Sequence, residues 1–529
     1  ALQKVKKYFS AFKVCSEIKC FKITDTKYIG WLGCRLNDNL HRFNNGWVMG
    51  PISLNEKISL EIINHDSDIP NSINKILGWV KIFDSGIIQP NYLKHIFYSK
   101  DTISDMQILV AKVDQLSVSQ KSFFILASCG YYPGNISLFQ SVNKIPILNS
   151  LNFYNHQLSE NEKIKVLSKN FNDIPDIIFE GITKTLPIIH ALSGGVDSRF
   201  VLAGLHKYNL NPKILSGGYD ENERGVAVEI ANVLNYKLND PKKIDSKICD
   251  IHPFSYSILT DCQTLFGAGK WSIHRSYYDN NHLLSHGYYA DCTLKNGFNQ
   301  LWKLTSNIDR AYKNHINNII LFNSHRVKHF LDYNRKELEQ ETFDYLNTQL
   351  YYQRQQFDFQ SVKELSCWLY FMNRGLRWTE AMLAEVSLYA YPISFLSNID
   401  AVIIGAFSPL EKNQNYRLPR HLINQLLPEI KINYNKKLSY KISNNYFQRK
   451  INSIWFEYIK RGFKYFKGKR IIDYRYSVNQ KLYTLASNEN VYNHCNIDDI
   501  KKFYENPKIN HSFKRAIITL SHAYDFIKD

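Results

Sequence analysis

The 529-residue chain has no apolar run near the roughly 18 residues that a membrane-spanning helix requires. Its opening residues, ALQKVKKYFSAFKVCS, lack the charged-then-apolar pattern of a secretory signal. There is no CxxC pair, and the nine cysteines, at 15, 20, 34, 129, 249, 262, 292, 367 and 495, are odd in number and scattered. That pattern argues against a disulfide framework and a zinc ribbon, and predicts reduced thiols in a cytoplasmic protein. No internal repeat and no low-complexity tail is visible.

What is present is ordinary in bulk. Hydrophobic residues make up 44% and charged residues 22%, enough for a large core. The length predicts about two to four domains. Net charge is +18, a balance that can serve nucleic acid, an anionic surface or acidic substrates. The chain is equally rich in Lys, Asn, Ile and Tyr, whose codons are AT-rich, so genome composition accounts for much of the excess without a nucleic-acid partner. The densest basic stretch, residues 459–475 (IKRGFKYFKGKRIIDYR), reads as a solvated helix face with snorkelling lysines; a nucleic-acid or peptide face is the alternative.

Three regions differ in pattern. Residues 1–155 carry short apolar runs at 20–23, 58–63, 107–111 and 123–127, separated by Asn, Asp and Gly clusters, which predicts a mostly β region. Residues 156–180 read as a linker with some helix. From 181 the pattern becomes strand–helix–strand, which implies a parallel sheet, and from about 300 it is mainly helical.

The stretch ALSGGVDSRFVLAGL, residues 191–205, joins an apolar strand (186–192) to a helix. A glycine turn at that junction leaves backbone N–H groups outward and unpartnered, which suits phosphate. The loop has no lysine and is not a Walker loop. A second strand is expected at 213–218 and a helix at 223–234, with Val226, Ile230, Val233 and Leu234 on one face.

SGGVDS resembles the pyrophosphate-binding loop (PP-loop) of the ATP pyrophosphatases. Its position, after a β-rich region and before a long helical one, resembles the class B asparagine synthetases and their relatives, the β-lactam synthetases and lasso-peptide cyclases. The segment LSHGYYADCTLKNGF, residues 284–298, resembles that family's SGEGADEXXGGY segment through Gly287, Ala290, Asp291 and Gly297. The likeness covers about residues 180–440 and thins beyond Asp291.

The resemblance implies an α+β N-terminal domain (1–155), a degenerate glutaminase-like β-sandwich of the N-terminal-nucleophile (Ntn) type, in which ASCGYYPGNISLFQ stands at a family turn and returning strand. A linker (156–180) and an α/β PP-loop ligase domain with a helical C-terminal part (181–529) follow. The cofactors implied are ATP and Mg²⁺. Ser193, Gly194, Gly195, Asp197 and Ser198 would hold the pyrophosphate of ATP, and Asp197 and Asp291 the Mg²⁺. Leu215, Ser216 and Gly217 would lie at the adenine. Glu223, Ala227 and Ala231 fit a family helix pattern that packing alone also explains. Lys436, with Lys437 as runner-up, would stabilise charge as AMP leaves; two surface lysines are the alternative.

Several positions depart from the family. Tyr288 stands where asparagine synthetases have glutamate and β-lactam synthetases have tyrosine, and by that resemblance would serve a deprotonation or contact the adenylate; a packed aromatic is the alternative. Cys292 replaces the usual Glu after Asp291. Arg377, Met382, Pro392, Phe395 and Leu396 fit a third segment loosely, but its acid and arginine are Leu388 and Ala390 here, with Glu380 or Glu385 as substitutes or structural ion-pair partners. If Ala1 is the native start, the glutaminase cysteine is missing, since Cys15 and Cys20 are internal.

The expected activity is an ATP-dependent ligase that adenylates a carboxylate (amino acid, sugar acid or peptide) and joins it to an amine without glutamine hydrolysis. Nucleic acid is not an expected partner. The rivals are an RNA-modifying PP-loop enzyme, favoured by the charge, and an ATP-binding pseudoenzyme, favoured by the missing acids.

Overall fold

A computed structural model of the chain describes residues 15–24, 27–34, 40–43, 45–49, 78–160, 170–182, 187–216, 221–239, 261–262, 282–295, 305–321, 335–379, 383, 390–408, 417–430, 434–435, 440–441 and 511–528. The protein mixes α and β structure. In the N-terminal part, β1 (Cys15–Thr24) and β2 (Lys27–Cys34) form an antiparallel hairpin. A six-stranded antiparallel sheet takes in β3 (Leu40–Phe43), β4 (Gly46–Met49), β5 (Val80–Phe83) and β6 (Ile87–Pro90). A small antiparallel sheet has β7 (Phe97–Tyr98) between β8 (Ile103–Ser104) and β9 (Asn143–Lys144). β10 (Asn149–Asn152) and β11 (Gln157–Glu160) complete the six-stranded sheet, in the order β11-β10-β6-β5-β4-β3.

Two apolar runs expected as strands, 107–111 and 123–127, are instead helices: α1 (Gln107–Val113) and α2 (Gln120–Cys129). A short buried apolar run does not reveal its period. The signals for α2 lie at its ends, where the Ser119 side chain accepts from Ser122 N and Gly130 closes the helix in the left-handed conformation. The start of α1 is satisfied from far away. Asp261 accepts from Gln107 N at 2.8 Å and Ile108 N at 2.9 Å. The run at 58–63 lies outside the described residues.

After α3 (Ile174–Phe179), the strand–helix pattern unfolds as expected: β12 (Ile188–Leu192), α4 (Val196–Lys207), β13 (Lys213–Ser216), α5 (Glu221–Val233), β14 (Leu238–Asn239) and β15 (Leu283–Ser285). With β16 (Tyr391–Ile393), β12 to β15 form a wholly parallel sheet, order β14-β13-β12-β15-β16. All five residues of β12 are buried, as a central parallel strand covered on both faces requires. The strand order reverses between β12 and β15. In open parallel sheets that reversal parts the loops at the strands' C-terminal ends and leaves a crevice for ligands.

The short α6 (Ala290–Thr293) follows β15. The remaining described helices are α7 (Ile308–Leu321), α8 (Arg335–Gln355), α9 (Val362–Tyr370) running into a π-helical turn over Phe371–Thr379, α10 (Ile399–Phe407), α11 (Arg417–Leu426) and α12 (His511–Lys528). α12 packs on α1 and α2, and Lys112 Nζ donates to the Ile527 carbonyl at 2.6 Å. One hydrophobic core runs from Val48 to Ala523. Among the described residues no helix is long and apolar enough to cross a membrane.

Candidate functional site

The glycine turn lies at the C-terminal end of β12, beside the strand-order reversal. Gly194 has φ +69°, a left-handed conformation that glycine enters without a Cβ penalty. Gly195 caps α4 and has no side chain with which to bond the first-turn N–H groups. α4 starts at Val196, so Asp197 and Ser198 stand in its first turn. The loop is tied internally. Ser198 Oγ accepts from Ser193 N at 3.2 Å, lies 3.1 Å from Ser193 Oγ and donates to the Gly195 carbonyl at 3.1 Å.

The loop after β15 packs directly against this turn. A Cβ built on Gly287 would lie 2.7 Å from Ser198 N and 2.9 Å from Asp197 Cβ. The Asp197 neighbourhood therefore has no room for a side chain at 287. Gly287→Val is expected to lower stability by about 1–3 kcal/mol. Urea unfolding checks this, and an unchanged value would refute the close packing.

Asp197 and Asp291, the two predicted Mg²⁺ ligands, meet at one cation. Lys295 Nζ pairs with both carboxylate oxygens of Asp197 and lies 3.7 Å from Asp291 Oδ1. Burial pushes the Asp197 carboxyl upward, and Asp291 adds to this, while Lys295 pulls it back down. Sequence reading missed Lys295. Its signal is the four-residue spacing from Asp291: Lys295 lies just past the end of α6 and turns back to the acid in its first turn. Arg199, almost fully buried on α4, has Asp197, Glu229 and Arg420 as charged neighbours, and burial lowers it to about 10.

His190 was also missed. It is fully buried in β12, with Nδ1 3.0 Å from Ser285 Oγ and Nε2 2.9 Å from the Ser198 carbonyl. One imidazole thus joins the end of β15 to the first turn of α4. Burial pushes it down to about 4, and His315 on α7 likewise. Both are neutral in the folded protein at pH values where the unfolded chain, titrating near 6.5, takes up protons. Their stabilisation is complete above pH 6.5 and is lost as pH falls towards 4, by up to about 1.4 kcal/mol per pH unit for each. Urea unfolding at pH 7, 6 and 5 measures this. His190→Asn should flatten the slope by one proton, and an unchanged slope would contradict the assignment.

The residues expected at the adenine adjoin the loop, since Leu192 pairs with Ser216 across β12 and β13. Ser216 is buried, and its Oγ has no hydrogen-bond partner among the described residues. Leu215 packs in a small cluster with Ile189, Ala191 and Leu284, and the half-buried Tyr288 lies against it. The Tyr288 ring is tilted against His286, centroids 4.8 Å apart, and its N–H donates to His286 Nδ1 at 3.2 Å. Tyr289 takes φ +71°, and Ala290 begins α6. Cys292 is a buried free thiol whose Sγ lies beside Gly375, so it serves packing. The chain matches no family model and no curated protein.

Arg377, expected in a family segment, is fully buried. Its Nε donates to the Tyr132 carbonyl at 2.7 Å and Nη2 to the Ile136 carbonyl at 2.8 Å. It therefore fastens the π-helical turn to the N-terminal part, within the stretch ASCGYYPGNISLFQ. Gly217, Gly297, Glu380, Met382, Glu385, Lys436, Lys437 and the 459–475 stretch lie outside the described residues.

Proposed function

We propose that the chain is an asparagine synthetase-like ligase, with a PP-loop synthetase domain following a degenerate glutaminase-like domain, that adenylates a substrate carboxylate with ATP and passes the acyl group to an amine. One observation carries this reading: a glycine turn at the reversal point of a parallel sheet, with carboxylates from the first turns of α4 and α6 converging on one cation beside it. Phosphate on the first-turn N–H groups of α4 would meet Ser193 and Ser198 on one side and Lys295 on the other.

In the proposed reaction the substrate carboxylate attacks the α-phosphorus and pyrophosphate leaves. The loop N–H groups and hydroxyls hold the pyrophosphate oxygens as their charge grows. The residues suit Mg²⁺, because Asp197 and Asp291 present carboxylates to a common cationic position and Mg²⁺ needs few protein ligands. When bound, Mg²⁺ supplies charge that neutralises the departing pyrophosphate. Lys295 adds a second positive charge on the same side. The Ser216 hydroxyl, next to Leu192 and without a partner among the described residues, would be available to a base edge. By resemblance, Lys436 assists departure of AMP when the amine attacks, and Tyr288 faces the adenylate.

The test is product analysis with Mg-ATP and pooled carboxylates: aspartate, uronic acids and acidic peptides. AMP and pyrophosphate are expected; ADP and phosphate would overturn the mechanism. A second reading, an ATP-binding protein without turnover, is favoured by the Lys295 ammonium lying across both carboxylates. ATP binding without AMP formation on any carboxylate supports it.

A further inference from the structure

Away from this site, three polar groups converge in the interior with bonding capacity left over. Lys144 on β9 pairs directly with Phe97 on β7. Directly opposed residues of an antiparallel pair project from the same face, so the Lys144 and Phe97 side chains are neighbours. The Arg377 guanidinium lies over the Phe97 ring, 5.6 Å from its centroid. His95, two residues before Phe97, has Nε2 2.6 Å from the carbonyl of Leu376, the residue preceding Arg377. Lys144 is 3% exposed, His95 8% and Arg377 0%.

Each keeps an atom without a hydrogen-bond partner among the described residues: Lys144 Nζ, Arg377 Nη1 and His95 Nδ1. Their chemistries differ in a useful way. Lys144 and Arg377 are donors. The bond to a carbonyl puts the His95 proton on Nε2, so Nδ1 is an acceptor. Buried cations are ordinarily paired. The charged groups facing this position are Lys94, Arg377, Lys144 and Asp261. Asp261 already spends its carboxylate on the N–H groups of Gln107 and Ile108. Among the described residues, Lys144 and Arg377 therefore keep donor capacity toward this position with no acceptor to meet it. An occupant that complements the set is a monoanion that accepts two hydrogen bonds and donates one.

We propose that Lys144, Arg377 and His95 hold a small oxyanion bearing one O–H, of the hydrogencarbonate class, inside the protein. Its oxygens accept from Lys144 and Arg377, and its hydroxyl donates to His95 Nδ1. A halide offers no proton to His95, and water brings no charge. The proposal stands apart from the ligase reading, which uses none of these residues' free atoms.

The experiment is thermal unfolding of the full chain at pH 8 in sodium bicarbonate, chloride or gluconate of equal ionic strength. Bicarbonate is expected to raise the midpoint by about 1–3 °C, saturably, over the other two salts. Lys144→Met is expected to abolish the difference. Titrating the native chain into ¹³C-bicarbonate should broaden the carbon resonance, a readout that survives a variant that fails to fold. Equal midpoints in the three salts with no broadening, or a chloride effect as large as that of bicarbonate, would overturn the proposal. So would a carbamate resonance, which would mean covalent modification of Lys144 instead.

Discussion

Asp197→Asn is expected to lower carboxylate-dependent pyrophosphate release by about 10²–10³-fold, the scale of losing one charge-stabilising group at a transition state. The change is nearly isosteric but removes the charge that holds Lys295 and, in the proposed reaction, Mg²⁺. The fold should change little, because asparagine keeps the shape of the side chain in the first turn of α4. A thermal midpoint within about 2 °C of the native chain is expected. Retention of more than a tenth of the activity would remove Asp197 from the mechanism. Loss of activity with loss of fold would be a stability effect, so both measurements are made on one preparation.

Arg377→Met should destabilise the protein by about 3–5 kcal/mol, the cost of removing one partner from a buried charged hydrogen-bond set. The Tyr132 and Ile136 carbonyls would be left without their donors in a dry interior. Methionine fills much of the volume, so little of the loss is cavity. Chemical unfolding measures the change, and a value below 1 kcal/mol would refute the role of Arg377 as the tie between the two parts.

The glycine turn between β12 and α4 was legible because its signals are local: apolar strand, two glycines and a polar turn, then a helix pattern. The same locality explains the parallel sheet, whose strands and helices alternate along residues 188–239. What was not legible is what chain-distant partners decide. Nothing between residues 100 and 130 announces that α1 is capped by Asp261, so its run looked like a strand. His190 did carry a signal, an imidazole inside an otherwise apolar strand, but its partners Ser285 and Ser198 are visible only in three dimensions. Lys295 had the clearest neglected clue. A pattern search tuned to carboxylates passes over the base that completes them.

The Asp261 cap also bears on the order of events during synthesis. Two N–H groups at the start of α1 wait for a carboxylate more than a hundred residues downstream, and one flank of α1 and α2 waits for α12. α1 and α2 leave the ribosome before these partners, yet reach their final packing only once residues 511–528 have been made. Such high contact order slows folding and leaves an apolar surface exposed meanwhile. Among the described helices, α1 and α2 are the ones whose packing depends on partners made long after them.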